Sequence, residues 1–118
     1  MSRLSFVFVV LFAGTLLFTP SQSAAAEDGA ALYKTYCVTC HGDTGKGDGA
    51  ASASLTPKPA NFADAAFWKT RDDAAVKKVI KEGGAAVGKS AMMIAWGSVL
   101  DDAKIDAVIK HIKTFQGK

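Results

Sequence analysis

The sequence has 118 residues, of which 49% are hydrophobic and 21% charged, with a formal net charge of +3. This length allows one small domain, and a modest charge without a concentrated basic tract does not favour nucleic acid as a partner. Such a small domain buries little surface and often needs a covalent staple or a cofactor. Its two cysteines, Cys37 and Cys40, lie too close in sequence to close a stabilising loop.

The N-terminal segment has the layout of a secretory signal peptide. Arg3 precedes a mainly apolar stretch, residues 4–18, and the three alanines at 24–26 offer a cleavage site. The alternative is a retained membrane anchor, but this stretch is shorter than the roughly 20 residues that span a bilayer. We therefore predict a signal peptide over residues 1–26, a domain over residues 27–118, and a periplasmic location.

Three segments of the remaining chain have helical periodicity, and none alternates like a β-strand. The first covers about residues 28–38, and the second begins at the N-cap Asp72 and ends at the glycine pair 83–84. The third begins at Asp101 or Asp102. Its apolar stripe consists of Ile105, Val108, Ile109, Ile112 and Phe115. These patterns predict an all-α fold with three main helices.

Cys37-Val38-Thr39-Cys40-His41, at the end of the first predicted helix, is the C-x-x-C-H haem-attachment pattern. Two thiols on one side of a helical turn can add to the two vinyl groups on one porphyrin edge. The adjacent histidine then lies beneath the iron. The pattern predicts one covalently attached haem c, with Cys37 and Cys40 as attachment sites and His41 as an axial iron ligand.

Three other chemistries use the same residues. A thioredoxin-like redox pair requires a βαβ unit, which the pattern of this chain does not predict. A closed zinc site requires four ligands in a tetrahedral arrangement. Cys37, Cys40, His41 and His111 are the only cysteines and histidines present, and the adjacent residues Cys40 and His41 fit that arrangement poorly. A disulfide between the two cysteines would leave His41 and the two long irregular stretches, residues 42–62 and 83–99, unexplained. Haem explains these stretches as loops that pack around one apolar disc.

Across residues 29–115 the chain resembles the small class I c-type cytochromes, particularly the cytochrome c domains of bacterial terminal oxidases. The resemblance rests on an ordered series of short motifs. They are Gly29-x-x-Leu32-Tyr33, Cys37-x-x-Cys40-His41-Gly42, Gly45-Lys46-Gly47-Asp48-Gly49, Pro59-Ala60-Asn61-Phe62, Gly83-Gly84 and Met93-Ile94-Ala95-Trp96-Gly97. It implies a small cytochrome c fold, with long loops wrapped around one haem.

The resemblance implies a methionine as the second axial ligand of the iron. The family pattern Met-Pro-Ala-aromatic-Gly aligns with Met93, but Ile94 replaces the proline, so Met92 remains the alternative. His111 is a further alternative ligand, and we favour a packing role for it against Gly29 and Tyr33.

The resemblance also implies supporting roles for residues around the haem. A backbone carbonyl in residues 57–59, best Pro59, would accept the second N–H of His41. Trp68 and Trp96 would either donate to haem propionates or form the wall of the site. Lysines near the haem edge, Lys46, Lys58 or Lys89, would guide docking to acidic partner surfaces.

These features together predict an electron-transfer protein, not an enzyme, in a periplasmic respiratory or dehydrogenase chain. Its partners would be redox proteins, with membrane contact only through their complexes. The alternative is a haem sensor or enzyme-complex subunit whose sixth iron ligand is displaceable.

Residues 83–90 match the phosphate-binding motif G-x-x-x-x-G-K-[ST], which ends here in Lys89-Ser90. That motif functions only between a buried strand and a helix. In this chain it follows a predicted helix with a charged face, so we interpret the match as accidental and predict no nucleotide partner.

Overall fold

The structure, a computed structural model, describes residues 28–118. The predicted signal peptide, residues 1–26, lies outside this range. The described residues form α-helices, two short 3₁₀ helices and loops without a β-strand, which confirms the all-α prediction. The α-helices are α1 (Gly29–Tyr36), α2 (Val38–His41), α3 (Ala65–Lys69), α4 (Asp73–Glu82) and α5 (Asp102–Lys113). No helix in residues 28–118 is long and apolar enough to cross a membrane.

Aspartate N-caps begin two of the predicted helices. The Asp72 carboxylate accepts a hydrogen bond from the Ala75 backbone N–H, and the Asp101 carboxylate accepts one from Lys104, each at 2.8 Å. Each bond satisfies a backbone donor that has no partner within the first helical turn. Gly83 ends α4 with a φ of 85°, in the left-handed region that glycine adopts without strain.

The first predicted helix is divided in the structure. α1 ends at Tyr36, Cys37 has a φ of −119°, and α2 continues the helical course until Gly42. The short helix α3, capped by Asp64, was not predicted. It has only five residues, too few for an apolar period to show in the sequence.

Helix α5 forms the centre of the hydrophobic core. All five residues of the predicted apolar stripe are buried, four of them in α5 and Phe115 just after its end. α1 crosses α5 so closely that a side chain at Gly29 would collide with the carbonyl oxygen of Ala107. α4 packs against α5, and its two buried residues, Val76 and Ile80, belong to the same core. The three predicted helices therefore pack around one hydrophobic core, and the long loops connect them.

Residues 83–90, which match the phosphate-binding motif, follow the helix α4 and not a strand. Within them Ala85–Val87 forms a single 3₁₀ turn, and Gly88 has a φ of 70°. This segment lacks the strand-to-helix context that the motif requires.

Candidate haem site

An open, largely apolar cleft of about 600 Å³ lies between the helices and the two long loops. Cys37, Cys40 and His41 contribute to its wall, and so do Met92 and Met93 from the second loop. The structure thus brings all the predicted attachment and ligand residues to one cavity. Further lining comes from Tyr33, Leu55, Phe62, Phe67, Val76, Val79, Ile80, Val108 and Ile112.

The two cysteines flank the start of α2. Cys37 is the residue before this helix and Cys40 lies within it, so one helical turn separates two half-buried thiols. Burial, followed by the proximity of Cys40, raises the pKa of the Cys37 thiol to about 11.

The His41 ring is oriented by a backbone carbonyl near the end of the first long loop, residues 42–62. Its Nδ1 lies 3.4 Å from the carbonyl oxygen of Ala60. Burial lowers the pKa of the imidazole, while this hydrogen bond acts in the opposite direction. A neutral ring that donates from Nδ1 leaves Nε2 free to bind a metal.

The carbonyl that faces His41 is not the predicted one. The expected acceptor was in residues 57–59, with Pro59 as the best match, whereas the structure uses Ala60. The Pro59 carbonyl oxygen instead lies against Gly47, where it leaves no room for a side chain.

Two aromatic residues hold the histidine side of the cleft in place. The Phe62 ring stacks on the His41 ring with a centroid distance of 4.7 Å and an interplanar angle of 21°. The buried Tyr33 hydroxyl donates a 2.6 Å hydrogen bond to the carbonyl of Gly42, the residue after His41. Both contacts restrict the position of the imidazole.

The two methionines differ in their environments. Met92 is 65% exposed, whereas Met93 is half-buried and packs against the hydrophobic core. The Met93 N–H donates to the Ser90 carbonyl at 3.2 Å, and the Met93 carbonyl accepts from the Gly84 N–H at 2.8 Å. The Met92 N–H also donates to Ser90, to its hydroxyl at 3.2 Å, so burial is what mainly distinguishes Met93 from Met92.

Other predicted residues have structural contacts of their own. His111 packs against Tyr33 and Phe115, with centroid distances of 5.2 and 5.0 Å, and is not among the residues that line the cleft. The packing role predicted against Tyr33 is therefore confirmed. The Trp68 indole donates to the Phe62 carbonyl at 2.8 Å, so its N–H is not free for a haem propionate, contrary to one of its predicted roles.

Three cationic residues contribute to the lining of the cleft: Lys58, Arg71 and Lys89. Arg71 was not predicted, because it belongs to no motif and only directly precedes the N-cap Asp72. Its guanidinium lies 4.7 Å from the centroid of the Phe67 ring. Lys46, which was predicted near the haem edge, is not part of the lining.

The donor set of the cleft fits haem better than a bare metal ion. Two thiols, an imidazole with a satisfied Nδ1 and a half-buried thioether meet within apolar walls. Within residues 28–118 no three His, Cys, Asp or Glu side chains gather closely enough to hold a metal ion, which disfavours the zinc alternative.

The sequence has relatives among known proteins. Residues 24–112 match the family described as cytochrome c oxidase, cbb3-type, subunit III. The cbb3-type cytochrome c oxidase subunit FixP of Azorhizobium caulinodans is 31% identical over 98 residues, which cover 83% of this chain and 30% of that protein. FixP of Bradyrhizobium diazoefficiens is 32% identical over 92 residues, which cover 78% and 28%. The chain thus spans less than a third of the length of these two relatives.

Solved structures of c-type cytochromes share the fold. The c-type cytochrome KustC0563 matches with a TM-score of 0.63 and 26% identity, covering 75% of this chain and 98% of that one. A chain of the Kuenenia stuttgartiensis reducing HAO-like protein complex Kustc0457/Kustc0458 matches with a TM-score of 0.61 and 28% identity, covering 76% and 42%. These matches confirm the predicted cytochrome c fold and its cofactor, covalently bound haem c. The chain belongs to the cbb3-type cytochrome c oxidase subunit III family of c-type cytochromes.

Proposed function

We propose that this chain carries single electrons on one haem c in a periplasmic respiratory or dehydrogenase chain. Cys37 and Cys40 hold the haem covalently, and His41 and Met93 are the axial ligands. The observation that carries the proposal is the meeting of two thiols, an oriented imidazole and a half-buried thioether in one apolar cleft. When bound, haem supplies a one-electron couple at its iron.

The residues of the chain set the properties of that couple. The Ala60 carbonyl orients His41, and the Phe62 ring limits its rotation. A methionine opposite a histidine raises the reduction potential. With haem in place, the apolar side chains that line the cleft would limit the access of water to the iron. The proposal assigns no residue a role as acid, base or nucleophile.

Partner proteins of this chain would be electron donors and acceptors. The relatives are named as subunits of cbb3-type oxidases, and one structural neighbour belongs to a multiprotein complex. Lys58 and Lys89 are exposed and contribute to the cleft, so they can interact with acidic side chains of a partner. Contact with a membrane would occur only through such complexes.

A second function is supported by the exposure of the methionine loop. Ile94, which stands where the family has a proline, is 55% exposed, and Met92 offers a second thioether at the cleft. These features suit a haem sensor or an enzyme-complex subunit with a displaceable sixth ligand. The backbone hydrogen bonds on both sides of Met93 favour the simple electron carrier.

Comparing Met93→Ala with its matched control Met92→Ala tests the proposal in the purified holoprotein. We expect a red protein whose haem stays with the protein in acidic acetone. Its oxidised form should have the weak far-red absorption band of a methionine–iron bond. Met93→Ala should abolish this band and lower the reduction potential, whereas Met92→Ala should change neither.

Three other results would contradict parts of the proposal. Loss of the band in Met92→Ala alone would identify Met92 as the ligand. An unmodified protein that lacks the band and binds carbon monoxide readily when reduced would favour the displaceable-ligand function. Extraction of the haem into acidic acetone would exclude attachment through Cys37 and Cys40.

A further inference from the structure

The two glycines after α4 have different conformations. Gly83 has a φ of 85° and ends the helix, a task that favours glycine. Gly84 has a φ of −65° and a ψ of −38°, values that any amino acid adopts without strain. The end of the helix therefore does not explain why residue 84 is a glycine.

Steric crowding explains why residue 84 is a glycine. A Cβ atom at residue 84 would collide with the carbonyl oxygen of Ser90 and would lie 3.1 Å from its carbonyl carbon. It would also lie 3.2 Å from the Cβ of Met93. These are main-chain atoms and a Cβ, which cannot rotate away as the end of a flexible side chain can. A side chain at residue 84 would therefore displace the turn of residues 90–93.

The same turn is hydrogen-bonded to Gly84. The Gly84 N–H donates to the Met93 carbonyl at 2.8 Å, and the Gly84 carbonyl accepts from the Lys89 N–H at 2.8 Å. The turn is closed by the Met93 N–H, which donates to the Ser90 carbonyl at 3.2 Å. Gly84 thus contacts the methionine segment through both its missing side chain and its backbone.

We propose that Gly84 is a positioning residue for the sixth iron ligand. Because it has no side chain, the turn of residues 90–93 can close onto the end of α4 and keep Met93 at the cleft. This inference rests on the proposed His41/Met93 ligation. It assigns Gly84 a role in the strength of the methionine–iron bond, distinct from the helix-ending role of Gly83.

The test compares Gly84→Ala with Gly117→Ala in the holoprotein. Gly117 has a φ of 75°, a Cβ added there meets no atom within 4 Å, and it is not among the residues that line the cleft. Backbone preference alone predicts that alanine is strained at Gly117 and tolerated at Gly84. Contact with the turn of residues 90–93 predicts the opposite order of effects on the haem spectrum.

We expect Gly84→Ala to weaken or abolish the far-red methionine–iron band and to lower the reduction potential. A weaker methionine–iron bond in Gly84→Ala should also increase the fraction of reduced protein whose sixth iron position is open. If this fraction increases tenfold, the apparent affinity for carbon monoxide increases about tenfold. Gly117→Ala should retain the band, the potential and the carbon monoxide affinity of the unmodified protein. An unchanged band and potential in Gly84→Ala would overturn the inference.

A double variant separates a positioning role from a general structural one. If Gly84 acts through Met93, adding Gly84→Ala to Met93→Ala should cause no further shift in potential or in carbon monoxide affinity. An additive shift would overturn the inference. The unmodified holoprotein supplies a test that does not depend on folding of the variant. The Gly84 amide should be protected from hydrogen exchange, and rapid exchange would contradict the bond to Met93.

The failures of the two proposals are distinguishable. A band that is present in the unmodified protein and survives in Gly84→Ala overturns only the role of Gly84. Absence of the band from the unmodified protein rejects the His41/Met93 ligation, and the role of Gly84 with it.

Discussion

The two sides of the cleft are held in different ways. On the histidine side, the His41 ring is stacked on the buried Phe62, and its Nδ1 faces a carbonyl nineteen residues away. On the methionine side, Met92 and Ile94 are more than half exposed, and Met93 is only half-buried against the core and has backbone hydrogen bonds within its own loop. One side is stabilised by long-range burial, the other mainly by the local path of the chain.

This difference assigns separate tasks to the two sides. Segments with few buried apolar contacts open at a lower free-energy cost than the core does. We therefore expect changes on the histidine side to affect the stability of the whole domain. Changes on the methionine side should affect the sixth ligand and the reduction potential while the fold persists.

The largest stability difference between the two sides should come from Phe62→Ala and its control Ile94→Ala. Phe62 is 7% exposed and contacts His41, so its truncation should lower the free energy of unfolding by about 3–5 kcal/mol. Ile94 is 55% exposed, and its truncation should stay within about 0.5 kcal/mol. Denaturant unfolding of the holoprotein measures both, and equal losses would contradict the proposed division.

A smaller effect is expected from Tyr33→Phe, which removes one hydroxyl from the histidine side. The Gly42 carbonyl would lose its 2.6 Å hydrogen bond within a buried region but would keep the 3.2 Å bond from the Gly45 N–H. Loss of one such hydrogen bond lowers the free energy of unfolding by about 0.5–1.5 kcal/mol. Tyr36→Phe removes the same atom from a half-buried ring and should change it by less than about 0.5 kcal/mol. Indistinguishable midpoints of denaturant unfolding for the two variants would argue against the Tyr33 contact.

The smallest effect is expected from Lys89→Ala in the methionine-side loop. Lys89 is exposed and belongs to the match with the phosphate-binding motif that we interpret as accidental. Its removal should leave the visible haem spectrum unchanged, since the side chain is not a proposed ligand. Titration of the unmodified protein with ATP should detect no binding; an ATP affinity that Lys89→Ala removes would refute the accidental interpretation.

Features that depend on neighbouring residues could be predicted from the sequence. The caps Asp72 and Asp101 act on N–H groups three residues ahead, and the stripe of α5 follows from helical geometry. The C-x-x-C-H motif likewise lies within one turn of chain, so its chemistry is readable without the fold. The short helix α3 was missed because its five residues carry no complete apolar period.

Contacts between distant segments were decided only by the tertiary structure. The choice of Ala60 over Pro59 as the partner of His41 depends on how a long loop packs against Gly47. The hydrogen bond of Trp68 to Phe62 and the different exposures of Met92 and Met93 depend likewise on loop packing.

The sequence by itself therefore predicted that haem would be attached at Cys37 and Cys40 beside His41, because these residues share one helical turn. The tertiary structure decided how that histidine is oriented and why residue 84 has no side chain, because both follow from close approach between segments that the sequence does not relate by any period.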